Sequence, residues 1–99
     1  MEQIKKQYNT GGMKLELIKQ QKKNDREIIA IYSTHSSESG CSAGYEVHRV
    51  RLRKTGFKPE PHWINPSTEQ FGSYGWACPN IKRAETMFDS LLGSNRERH

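Results

Sequence analysis

The sequence predicts an α+β fold, an antiparallel sheet of three to four strands with one C-terminal amphipathic helix packed on one face. Three observations carry that expectation. Apolar and polar residues alternate with period two over 13–17, Met-Lys-Leu-Glu-Leu. Residues 27–33 are dense in Ile and Tyr, and apolar residues recur with a helical period at Ile81, Ala84, Phe88 and Leu91.

Taken in order, residues 1–12 are polar, lack a sustained period and end in Gly11-Gly12, which reads as a flexible N-terminal arm. The single domain is then expected over 13–93. Residues 13–17 and 27–33 make a hairpin, with Lys22-Lys23-Asn24-Asp25 as turn chemistry. Residues 33–44 hold five serines in twelve positions and nothing large and apolar, so they read as an exposed loop. The next strand covers 45–53, and its apolar phase shifts between Val47 and Val50, which calls for a bulge or a strand buried on both sides. Gly56, Pro59 and Pro61 break it. Residues 66–72 have Ser67 three positions before Gln70 and a closing Gly72, enough for about one helical turn. A short strand at 74–78 follows. The helix is expected over 81–92, with Asn80 as N-cap after Pro79 and Gly93 closing it. Residues 94–99 form a polar tail, expected to be disordered.

Composition limits the size of the core. In 99 residues only 17 are Leu, Ile, Val or Phe, while nine aromatics favour folding over disorder. The longest apolar run, Ile28 to Tyr32, has five residues against the roughly 20 that a membrane helix needs. No membrane partner is expected. The first residues lack the apolar segment of a secretory signal, and the two cysteines stand 37 positions apart, so both thiols are expected free in a reducing cytoplasm.

Sixteen Lys and Arg face eleven Asp and Glu, a formal charge of +5, and the whole excess lies in residues 1–54. Arg49, Arg51 and Arg53 occur at i, i+2 and i+4. On a strand that spacing aims three guanidiniums at one face, an arrangement suited to repeating phosphates. The competing reading pairs them with Glu16, Glu27 or Glu46 on neighbouring strands. Lys14 and Lys19 would add to the field. Lys82 and Arg83 stand in the first helical turn, where the macrodipole disfavours cations, so they either help hold an anion or are offset by a Lys82/Glu85 pair.

Other motifs carry less. Gly40-Cys41-Ser42-Ala43-Gly44 matches the G-x-S-x-G string of serine hydrolases, but that string works on a strand-to-helix elbow and here a strand follows. His35, Cys41, His48, His62 and Cys78 lack the short spacings of zinc sites. No catalytic residue, metal or cofactor is therefore expected. His48 reads as a packed or surface histidine. Phe71, Tyr74 and Trp76 read as aromatic filling under the helix, and Trp63, in a Pro-rich stretch, reads as an exposed protein contact together with His35 and Ser37.

The stretch Tyr45-Glu46-Val47-His48-Arg49-Val50-Arg51, the segment from Pro66 to Trp76 and the helix with Ala84, Phe88 and Leu91 resemble small uncharacterised proteins carried by phages and mobile elements. The architecture is similar to the three-stranded arm-type DNA-binding domain of tyrosine recombinases and to plant ethylene-response-factor domains. That likeness implies an exposed sheet face laid in the major groove, with Arg49, Arg51 and Arg53 as the matching readers. The expected function is accordingly a non-catalytic binding module, a phage or mobile-element accessory protein in the bacterial cytoplasm, whose basic face engages nucleic acid or a nucleotide. The alternative is an inhibitor or adaptor that binds a host protein through the basic face and the 33–44 loop. An uncovered sheet face or open edge also favours a homodimer.

Overall fold

In a computed structural model, described over residues 4–53, 62–66 and 71–93, six strands and one helix follow one another along the chain. They are β1 (Gln7–Thr10), β2 (Met13–Asn24), β3 (Glu27–Ser36), β4 (Ser42–Arg53), β5 (His62–Ile64), β6 (Gly75–Cys78) and α1 (Ile81–Gly93). All pairings between strands are antiparallel, in the order β1-β2-β3-β4-β5, with β6 also on β4. β5 pairs with Arg51–Arg53 and β6 with Tyr45–His48, so the two share one edge of β4. The fold class is the expected one, but the sheet has more strands than three to four.

The two additional strands have separate causes. Gly11 and Gly12 adopt φ of 55° and 78°, the left-handed pair that a two-residue hairpin turn requires, and Thr10 pairs with Met13 across it. The glycines read as the end of an arm are thus a turn, and residues 7–10 form β1. Ile4, also in that segment, is buried. β5 consists of only three residues, and its register sets Trp63 beside Leu52.

The serine-rich stretch is shorter as a loop than its composition suggests. β3 continues to Ser36 and β4 starts at Ser42; the ladder includes Ser33–Tyr45, Thr34–Gly44 and His35–Ser42. Backbone pairing with a neighbour outweighs the weak strand propensity of serine. Gly44 is required here: its φ is 131°, and a Cβ would lie 2.9 Å from the Cys78 carbonyl oxygen. At the other hairpin the Arg26 amide donates to Asn24 Oδ1 at 2.8 Å, closing the β2–β3 turn.

Central strand β3 is buried on both faces, as its unbroken Ile-Ile-Ala-Ile-Tyr run requires. Ile29 and Ile31 join Val47, Cys78, Ala84 and Phe88 beneath α1, with Tyr45, Met87 and Leu91 packed against them. Ile28, Ala30 and Tyr32 join Ile4, Leu15, Val50 and Trp63 on the opposite side. Val47 and Val50 therefore face different cores, and β4 keeps its register with β3 across both; the phase shift marks a two-sided strand. The face expected to lie bare is covered by the chain's own N-terminal segment and β5. Each large apolar side chain so buried stabilises the fold by about 1.5–3 kcal/mol.

Helix α1 begins as expected: Asn80 Oδ1 accepts from the Arg83 amide at 2.9 Å, and the Asn80 carbonyl accepts from the Ala84 amide. Among the described residues no helix is long and apolar enough to cross a membrane. Residues 1–3 of the arm, the Pro-rich break at 54–61, the middle of the 66–72 turn and the 94–99 tail lie outside the described residues.

Candidate functional site

Strand parity places the arginine row first. Val47, Arg49 and Arg51 alternate onto one side of β4, and Val47 lies under α1, so Arg49 and Arg51 are on the helix side of the sheet rather than opposite it. They extend the row beyond the helix, toward the β2–β3 turn. Arg53 holds the next odd position, opposite His62 in the ladder; its side chain lies outside the described residues.

Neither described guanidinium is free of neighbours. Arg49 Nε donates to Glu27 Oε2 at 2.5 Å and its Nη1 to the Ser73 carbonyl at 3.3 Å. Glu27 is buried, so the pair holds a carboxylate in place at the end of the helix-side core. The cross-strand partner weighed from sequence is therefore present for Arg49. Arg51 stacks on Tyr74 with Cζ 4.1 Å from the ring centroid, and Arg49 approaches the same ring at 4.8 Å. Arg51 Nε is buried without a hydrogen-bond partner. Tyr74, expected under the helix, is instead an aromatic plate that both cations approach. Tyr45 and Phe88 line the helix-side core, and Phe71 lies on the other face against His48 at 5.9 Å.

The remaining cations divide by position. Glu27 pairs with Arg51 across the ladder, and the Leu52 amide donates to the Arg26 carbonyl, so the β2–β3 turn sits beside the far half of β4. Segments 22–27 and 49–53 together hold six Lys or Arg and two Asp or Glu, a balance of +4 in a chain of +5. Lys14 is elsewhere, 3.6 Å from Glu16. Lys19 lies over the Phe88 ring at 4.7 Å. Lys82 and Arg83 are exposed on α1, which follows the end of β6 where Cys78 pairs with Tyr45, away from Arg51 along β4. The seven cations read as one site are thus not one patch; Lys22, Lys23 and Arg26 of the β2–β3 turn lie at the same end of the sheet as Arg49 and Arg51, although Lys22, opposite Ile28, is on the face away from α1. The signal for them was the turn itself, three cations in five residues.

Trp63 is buried in the core opposite α1, not exposed, because β5 carries it onto the sheet. His35 and Ser37 line an open cleft of about 510 Å³ with Lys14 and Glu16. His35 Nε2 is 3.1 Å from Ser33 Oγ and 3.5 Å from Glu16 Oε1, so both contacts use one nitrogen, and a Ser–His–acid relay, which needs one on each, is not formed. Trp63 and the His35–Ser37 cleft do not form a common surface.

Sequence reasoning missed a second polar assembly. His48 is buried between Glu46, which its Nε2 contacts at 2.9 Å, and Asn65, whose Nδ2 is 3.0 Å from Nδ1. The Tyr32 ring packs against it at a tilt of 39°, centroids 4.8 Å apart. Burial pushes the Tyr32 phenol above its ordinary range, and burial reinforced by the nearby Tyr32 and Glu46 does the same to Tyr8. A lone histidine in a strand carries no sequence mark of such a setting. Cys41 is exposed and Cys78 buried, both free, and burial raises the Cys78 thiol while Arg83 partly opposes it. Among the described residues no three His, Cys, Asp or Glu side chains gather as a metal-binding group. No protein-family model, curated protein or solved structure matches the chain.

Proposed function

We propose that the protein is a non-catalytic module that binds nucleic acid through the basic end of its sheet, formed by the β2–β3 turn and the far half of β4. The observation that carries this reading is the concentration of +4 in the eleven residues of 22–27 and 49–53. Six cations at one end give a field that attracts a polyphosphate and that two carboxylates only partly cancel. In this reading Arg51, with its Cζ over the Tyr74 ring, is the cation that meets phosphate, whereas Arg49, tied to Glu27, serves to hold the plate in position. A small module of this kind would suit an accessory protein of a phage or mobile element, whose small uncharacterised proteins the sequence resembles without bringing a known activity.

Titration of a duplex DNA at low and moderate salt tests it. Affinity should fall with salt by about 0.9 in log–log slope per phosphate neutralised, and Arg51→Gln should weaken binding at every sequence tested. Affinity indifferent to salt, or to that substitution in a folded protein, rejects the reading. A second reading, an adaptor or inhibitor that binds a host protein, is favoured by Ile18, half exposed at a bulge on the free edge of β2. A partner retained after nuclease treatment and lost with Ile18→Lys would favour it.

A further inference from the structure

The sheet face turned away from α1 carries a polar chain that the basic end does not use. The Tyr32 hydroxyl donates to the Lys5 carbonyl at 2.7 Å, and the Asn65 amide donates to the Tyr32 oxygen at 3.1 Å and to His48 Nδ1 at 3.0 Å. With Nδ1 accepting, His48 is the tautomer that donates from Nε2, and that proton goes to Glu46 Oε1 at 2.9 Å. Both ring nitrogens are engaged by protein groups, so His48 is a positioning residue: it fixes the Glu46 carboxylate and carries no proton to or from a ligand.

What it fixes is one wall of a cleft of about 420 Å³, within the size range of small-molecule sites. Glu46 is its carboxylate, Tyr8 and Phe71 supply aromatic surface, and Met13 and Leu15 supply aliphatic surface. The Glu46 side chain stays 23% exposed, so it is held but not sealed. The mouth already carries a cation of the chain itself, with Lys5 Nζ 5.1 Å from the centroid of the Tyr8 ring. A carboxylate with rings and aliphatic walls beside it is the chemistry that recognises an organic ammonium.

We propose that this cleft binds a small organic cation, an ammonium on a short apolar stem, with the charge on Glu46 and the stem against Met13, Leu15 and Phe71, Lys5 giving up its place over Tyr8. The site stands apart from the basic end and does not depend on nucleic-acid binding.

Phenethylammonium, titrated into the full chain and followed by backbone amide NMR shifts, tests it, with phenylpropanoate as the anion of similar shape. The cation should bind with a dissociation constant on the order of 1 mM, shifting residues 8, 13, 15 and 46, and the anion should not shift them. Glu46→Gln should weaken binding about tenfold. Lys5→Gln, which removes the competing ammonium, should tighten it severalfold. Equal binding of cation and anion, shifts confined to other residues, or unchanged affinity in a folded Glu46→Gln protein overturns the proposal. Should Glu46→Gln fail to fold, the opposite-direction effect of Lys5→Gln decides alone, and no gain in affinity there counts against the site.

Discussion

The two sides of β3 and β4 are buried in different ways. On the α1 side a helix at 3.6-residue period lays Ala84 and Phe88 across Ile29, Ile31 and Val47, and the apolar area ends abruptly at the Glu27–Arg49 pair. On the other side no single element provides cover. Ile4, β1 and Trp63 come from distant parts of the chain, and a hydrogen-bonded polar chain through His48 lies beside the apolar contacts. One face is closed by periodicity and the other by connectivity, which leaves a cleft at the second and a charged end at the first.

That contrast breaks most sharply at the two large aromatic anchors. Phe88→Ala should destabilise by about 3–5 kcal/mol, and Trp63→Ala by a similar amount if the second side is as much a core as the first. Chemical denaturation measures both. A Trp63→Ala loss within about 0.5 kcal/mol, the scale of surface substitutions, would show that the second side is not a core.

The pH response separates the sides as well. Tyr8 and Tyr32 both belong to the side away from α1, and both have phenols raised from the ordinary 10.0. A phenol whose folded value is raised binds its proton more tightly in the native state, so its contribution is fully present below pH 10 and is lost as pH climbs beyond it. Stability should fall above about pH 10 by up to about 1.4 kcal/mol per pH unit for each such tyrosine, and Tyr8→Phe should flatten that slope. Denaturation midpoints between pH 8 and 11 give the answer; a steeper decline in the Tyr8→Phe protein contradicts the assignment.

Smaller effects sharpen the helix side. Breaking the partly buried pair by Arg49→Gln should cost about 1–3 kcal/mol, since Glu27 keeps its burial and loses its cation. Asn80→Ala should cost about 1 kcal/mol through the lost cap on the Arg83 amide. Thermal denaturation should order them so, with Asn80→Ala the milder.

The same contrast explains what could be read in the sequence. α1 was legible because its period, its cap and its closing glycine agree over a continuous segment. β3 was legible from its apolar density, and the two-sided burial of β4 from its phase shift. β1 was hidden because Gly11-Gly12 suits both a mobile arm and a hairpin turn, and only pairing with β2 separates them. β5 was hidden because three residues carry no period. Trp63 was misread for the same reason: without β5 there is nothing to bury it. The arginine spacing correctly gave a shared face for Arg49 and Arg51, but spacing cannot tell which face. Parity with Val47 settles that only once α1 is known to cover Val47. The Glu46–His48–Asn65 chain joins residues up to nineteen positions apart and leaves no local pattern at all.

The most direct measurement is the salt dependence of duplex DNA binding for the native chain and for the Lys22→Gln, Lys23→Gln, Arg26→Gln variant of the β2–β3 turn. The native chain should show a steep log–log slope, and the variant one smaller by about 0.9 for each turn cation engaged with phosphate, with little change in thermal stability. A native chain that does not bind, or a variant with the same slope and affinity, would contradict it.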